Sequence, residues 1–157
     1  MEDIKKKMTE AEALEKLSAV CARSEHCVSD MRRRMRLWDM TDEEKQRVIK
    51  TLIKEDFINE NRYAKAFVRE KFCFNHWGLM KIEVELKRKG IKEHDIEAAL
   101  TEVSQEESLE ELRRLIREKG KSVTGKSDFE IRAKLYRFAL SRGFSGEQIN
   151  EVLDDME

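Results

Sequence analysis

Apolar residues recur at three- and four-residue spacing through most of the chain, and that spacing predicts nine helices. Leu14, Leu17 and Cys21 share a face with Ala11 beside them. They define a first helix, capped by Thr9 with Glu12 completing a capping box, that runs to about Ala22. Val28, Met31, Met35 and Trp38 define a second, started by Ser24 or Ser29. Thr41, with Glu44 three residues on, opens a third whose buried face is Val48, Ile49, Leu52 and Ile53. Asn59 or Asn61 caps a fourth with a broad aromatic stripe: Tyr63, Ala64, Phe67, Val68 and Phe72. Gly78 interrupts the chain. Ile82 and Leu86 mark a fifth helix that Gly90 stops, and a sixth runs from Glu93 to Val103. Ser104 begins a seventh, with Leu109, Leu112, Leu115 and Ile116 on its stripe and Gly120 at its end. Beyond a loop over 121–126, Ser127 and Glu130 cap an eighth, with Ile131, Leu135, Phe138 and Ala139. Gly143 stops it, and Ser145 caps a ninth with Ile149, Val152 and Leu153.

The pattern repeats. Ile82, Leu86, Gly90, Ile91, Ile96 and Leu100 match Leu135, Ala139, Gly143, Phe144, Ile149 and Leu153 at a constant offset of 53. A fainter copy lies upstream at an offset of 51, where Met31, Met35, Met40 and Ile49 match Ile82, Leu86, Ile91 and Leu100, and Asp39 stands in the glycine's place. The expected fold is therefore all-α: three tandem three-helix repeats forming an elongated, curved modular domain. Residues 1–8 are expected to be a disordered tail, with repeats over 9–56, 57–103 and 104–157. A unit this small buries little apolar surface alone and leans on its neighbours.

Composition agrees with helices: there is no proline and glycine occurs six times, so breakers are few. Three cysteines without regular spacing, no signal-like apolar segment after Lys5, Lys6 and Lys7, and no membrane-length run point to a cytoplasmic protein with no membrane association. A monomer is the default expectation.

Net charge is only -1, so distribution carries the information. From Arg62 to Lys92 basic residues outnumber acidic ones nine to three. From Glu93 to Glu111 there are eight acidic residues and no Lys or Arg. From Arg113 to Arg142 the basic excess returns, ten to three. If the repeats stack in register, Lys81, Lys87, Arg88 and Lys89 join Arg132, Lys134, Arg137 and Arg142 in a discontinuous stripe that faces phosphates or an acidic protein surface. Arg32, Arg33, Arg34 and Arg36 make a secondary basic patch. The plain alternative is that any amphipathic helix needs a polar face.

Other chemistry is thin. Cys73-x-x-His76 has ligand spacing, but His26-Cys27 offers no second spaced pair, so no metal is expected. The V-T-G-K-S segment at 123–127 lacks the preceding strand and glycine-rich span of a phosphate loop. No acid–base pair or nucleophile is identifiable, so neither catalytic residues nor a cofactor are expected. Trp38 and Trp77 sit at helix ends and read as packing residues, with a role as interface anchors the alternative.

The central stretch resembles a known family. Arg62-Tyr63-Ala64, Phe67-Val68, Gly78, Ile82, Glu85-Leu86, Lys89-Gly90-Ile91 and Ala99-Leu100 are similar to the motif of the RecX regulatory proteins of bacteria. The resemblance implies a modular set of three-helix repeats. It also implies a non-catalytic protein that binds the RecA recombinase, usually as the filament on DNA, and suppresses its ATP hydrolysis and strand exchange. Some members also bind single- or double-stranded DNA. The chain departs from the pattern at Asp39, and at Glu60, where aspartate is common. Beside this reading stand a general nucleic-acid-binding helical protein acting through the basic stripe, and a protein adaptor without DNA affinity.

Overall fold

The computed structural model describes residues 4–157. Among them, helices α1 (Glu10–Arg23), α2 (Val28–Met35) and α3 (Asp42–Lys54) form a first triplet. The second consists of α4 (Glu60–Cys73), α5 (Leu79–Arg88) and α6 (Glu93–Leu100), and the third of α7 (Gln105–Gly120), α8 (Asp128–Ser141) and α9 (Gly146–Asp155). The closely packed helix pairs all lie inside a triplet. Each triplet has its own core, built around Leu17, Met31 and Ile49, around Phe67, Ile82 and Ile96, and around Leu112, Phe144 and Ile149. The accessible surface is 10244 Å²; a compact monomer of this mass exposes about 8,200 Å². The excess is the signature of units joined in a row.

Helix starts follow local chemistry. The hydroxyls of Thr9, Ser104, Ser127 and Ser145 accept from the backbone N–H three residues on, and Thr41 with Glu44 closes a full capping box. Asn59, rather than Asn61, caps α4; Asn61 donates instead to the buried Asp95 at 3.1 Å. Neither Ser24 nor Ser29 starts α2. Its first turn begins after Cys27, whose N–H donates to the Asp30 carboxylate at 3.3 Å. The sixth helix stops at Leu100, three residues early, in a turn where the Thr101 hydroxyl bonds the Ala98 carbonyl. Gly90 and Gly143 end α5 and α8 with φ of 81° and 98°, a conformation that disfavours any other residue. Ile91 and Phe144, one step beyond, turn back into their cores.

The first triplet ends its middle helix differently. With Asp39 where the others have glycine, the chain leaves α2 as a short strand, β2 (Trp38–Asp39). This pairs in parallel with β1 (Lys6–Lys7), Lys6 opposite Trp38. The expected disordered tail over residues 1–8 is corrected accordingly. Residues 1–3 lie outside the described residues, but Lys6 donates its N–H to the Leu37 carbonyl at 3.0 Å and Met8 is buried in the first core. An apolar anchor directly after a basic pair holds this strand in place.

Candidate interaction surface

The three middle helices succeed one another end to end, and two junctions hold them. Between the second and third triplets, the first turn of α5 sits on the glycine turn that ends α8. Gly78 donates its N–H to the Arg142 carbonyl at 2.6 Å, and Met80 donates to the Gly143 carbonyl at 3.0 Å. The positive end of one helix thus satisfies the carbonyls at the negative end of the other. Beside this contact His76, at φ 58°, lies 2.7 Å from the Glu111 carboxylate, which Arg114 also binds.

Between the first and second triplets the equivalent position to Gly78 is Cys27, buried among the second core's residues. Lys89 reaches Asp30 at 3.3 Å, and Arg62 binds Glu25 at 2.6 Å and Asp56 at 3.1 Å. For the Asp30 carboxyl, burial is the largest influence and pushes upward. The Cys27 N–H and the Lys89 ammonium outweigh it, so the group titrates below its ordinary value. Its folded pKa is depressed, so its contribution is present above the unfolded value and is lost as pH falls through the folded one. Urea midpoints of the natural chain and Asp30→Asn are expected to differ at neutral pH and to converge below about pH 4. A difference that stays constant as pH is taken well below about 4 would show that the carboxylate adds nothing to the junction.

The motif residues Tyr63, Ala64, Ile82, Leu86 and Ile91 are core, and Gly78 and Gly90 shape helix ends. Arg62, held by two carboxylates, ties two triplets together. Tyr63 is buried, which pushes its phenol well above the ordinary value and keeps it neutral.

The eight-residue basic stripe is not uniformly free. Lys89 is largely buried against Asp30. Arg132 is clamped by Asp154 at 2.7 Å and Glu157 at 2.6 Å, and Lys134 reaches the Thr124 carbonyl and Glu130. These three serve packing between elements, because each has a carboxylate or carbonyl within reach that sequence separation concealed. Lys81 lies over the Trp77 ring at 4.4 Å, and Arg142 over Phe138 at 5.1 Å. Among the described residues Lys87 and Arg88 pair only with exposed or part-exposed glutamates on or next to their own helix, the weak kind of pair. Arg137 has no partner among the described residues. In the secondary patch Arg32 bonds Gln46 at 2.6 Å, while Arg33, Arg34 and Arg36 are exposed and unpaired among the described residues.

A different row emerges from the repeat register. Positions equivalent by the two offsets are Arg33, Val84 and Arg137; Arg36, Lys87 and Leu140; and Leu37, Arg88 and Ser141. All are exposed. They carry five cations, three aliphatic side chains and no carboxylate. Val84 is 65% exposed, Leu37 48% and Leu140 47%, so apolar surface is interspersed with the charge. The aliphatic members went unnoticed in the sequence because each stands alone among polar residues, Val84 and Leu140 off their helices' stripes and Leu37 in the turn after α2; aligning the three repeats on their exposed positions reveals them.

The fold and this surface define a tandem three-helix repeat protein that presents a mixed basic and apolar face. Two family descriptions match it: RecX, second three-helix domain, over residues 59–100, and RecX, third three-helix domain, over 105–153. The chain belongs to the RecX family. A protein of Halalkalibacterium halodurans named Regulatory protein RecX is 31% identical over 112 residues, which are 71% of this chain and 42% of that one. One of the same name from Lactobacillus johnsonii is 27% identical over all of this chain and 58% of its own length. The chain thus spans about half the length of such relatives. A crystal structure titled as regulatory protein RecX superimposes with a TM-score of 0.85 at 23% identity, covering 92% of this chain and 73% of that one. The RecX of Lactobacillus salivarius gives 0.78 at 21%, covering 92% and 97%. These two likenesses speak for the fold. Among the described residues no helix is long and apolar enough to cross a membrane.

Proposed function

We propose that this chain is a non-catalytic, monomeric, cytoplasmic regulator that binds the RecA recombinase or its DNA filament. In doing so it inhibits ATP hydrolysis and strand exchange, and so modulates recombination and repair. The observation that carries the reading is the exposed row along α2 and the turn after it, α5 and α8, five cations and three aliphatic residues without a carboxylate. Such a face suits a protein partner better than a bare polyanion, because phosphates reward charge but not aliphatic surface. Three units in a row also suit a repeating partner: modest contacts on successive protomers add when one chain links them. The regulatory name of the relatives supports the same role.

The test is recombinase ATP hydrolysis on single-stranded DNA, followed as this protein is titrated in. Suppression near one chain per few protomers is the expected result. Unchanged hydrolysis at saturating protein, with a recombinase from the same source, would overturn the proposal and leave plain nucleic-acid binding or an adaptor role.

A further inference from the structure

The third triplet meets the second through the C-terminal turn of α8. Toward the other end of that helix, between α7, α8 and α9, lies a groove of about 620 Å³. Its size falls within the range of about 300–1,000 Å³ common to binding sites. Ile116, Ile131, Leu135, Leu153 and the 48%-exposed Met156 supply its apolar lining. By the offset of 53, Leu135, Leu153 and Met156 correspond to Ile82, Leu100 and Val103 of the second triplet, where Trp77 packs on the core. The residue equivalent to Trp77 is Glu130, whose carboxylate accepts from the Lys126 N–H at 3.1 Å. The indole that helps close the second triplet thus has no counterpart in the third. A terminal repeat ordinarily turns a polar face to water; this one keeps an apolar hollow. The surroundings are acidic. Asp128 and Glu157 line the groove, and its one lining cation, Arg132, is held by Asp154 and Glu157. From Gly143 to Glu157 there are five Asp and Glu residues and no lysine or arginine. Neither Asp128 nor Asp155 has an ion-pair or hydrogen-bond partner for its side chain among the described residues.

We propose that this groove docks a basic amphipathic helix of a partner protein, one large apolar side chain seated against Leu135, Leu153 and Met156 while lysines or arginines beside it face Asp128, Asp155 and Glu157. Charge selects the sign of the partner: a polyanion is repelled by this rim and a basic segment is drawn to it. The apolar hollow selects its form, because a simple polycation leaves that surface wet. A groove between packed helices offers side chains and no free strand edge. It therefore suits an incoming helix, whose own backbone groups are already satisfied. The site stands apart from the function proposed above. Residues 128, 131, 132 and 135 share one face of α8, and Arg137 of the exposed row projects from the opposite face. The two surfaces also want partners of opposite charge, so one chain can hold both at once.

The experiment uses the full chain and a fluorescein-labelled helical peptide of about 18 residues, with one tryptophan and leucines at i, i+3, i+4 and i+7 spacing and lysines elsewhere. Two further peptides serve as comparisons. One carries glutamate for every lysine, and one has the same composition scrambled to break the apolar stripe. Anisotropy gives the affinities. The basic amphipathic peptide is expected to bind in the micromolar range, and both comparisons at least about tenfold more weakly. Asp128→Asn combined with Met156→Lys is expected to weaken binding about tenfold or more. Both positions are exposed, and circular dichroism confirms that the variant is folded. Glu97→Lys, of equal charge change on the exposed side of α6, is expected to leave binding unaltered. No recombinase is present, so the outcome is independent of the function proposed above. Absence of binding at about 100 µM peptide overturns the proposal. So does binding that survives the groove variant, and so does equal affinity for the scrambled peptide, which marks an acidic surface only. Self-association of the chain in sedimentation velocity that the groove variant abolishes also overturns it, since the occupant is then a second copy.

Discussion

Gly143→Ala is expected to lower the unfolding free energy by about 2–5 kcal/mol, the sum of a side chain forced to positive φ and of overpacking. Gly143 has φ 98°, and a Cβ there would lie 2.3 Å from the Lys81 Cβ and 2.7 Å from its backbone N. Neither atom is the far end of a flexible chain, so α5 itself must move. Gly78→Ala tests the same contact from the other side. Its φ of -73° suits any residue, but the added Cβ would meet the Gly143 carbonyl group at 2.4 Å. Gly90 is the control. It shares the positive φ, yet nothing lies within 4 Å of its Cβ position, so Gly90→Ala should cost only the conformational part, about 1–2 kcal/mol. Urea unfolding of the three variants measures this ordering. Gly143→Ala and Gly90→Ala with equal midpoints would show that the helix-to-helix seat contributes nothing, and that the third triplet is tethered rather than docked.

Reversing one exposed cation in each triplet, Arg33→Glu, Arg88→Glu and Arg137→Glu together, is expected to abolish most of the proposed recombinase suppression while the protein stays folded. Each reversal turns an attraction into a repulsion worth about 1 kcal/mol at a contact surface, so three give about 3 kcal/mol. The amount needed for half-suppression should rise roughly 100-fold. Stability should change little, since all three are exposed and, among the described residues, only Arg88 has an ion-pair partner, Glu85 on the same helix. Arg132→Glu is the informative contrast. It would set a carboxylate against Asp154 and Glu157 and loosen α8 from α9, so any lost activity would trace to unfolding. If the triple variant suppresses hydrolysis as the natural chain does, the row on α2, α5 and α8 is not the contact.

Helix count and nearly every helix end were legible because the forces that set them act within a few residues. Thr41 and Glu44 cap each other whatever lies beyond, and a glycine after an apolar stripe ends a helix because only glycine accepts that φ freely. The repeat was legible for the same reason: each copy solves the same local problem with the same spacing. Where a local signal was missing the reading slipped. Cys27 is a poor cap by composition, and α2 starts there because Asp30 reaches back to its N–H while the second core buries its side chain. The N-terminal strand was likewise invisible, since Lys6 and Lys7 carry no strand signal of their own and pair only because Met8 is anchored nearby.

The charge pattern shows the boundary most clearly. By itself the sequence determined an all-α repeat protein, the basic character of its middle helices and its membership of a recognisable family. It could not say which cations remain available, because an ion pair depends on distance through space. Lys89 finds Asp30 fifty-nine positions away, and Arg132 finds Asp154 twenty-two away, whereas Arg137 finds no partner among the described residues. Only the tertiary structure decided that three of the eight stripe residues hold the fold together, and that the open cations are interspersed with aliphatic side chains along α2 and the turn after it, α5 and α8. Local propensity acts over one helical turn, and the sorting of charges into paired and unpaired acts over the packing of whole triplets.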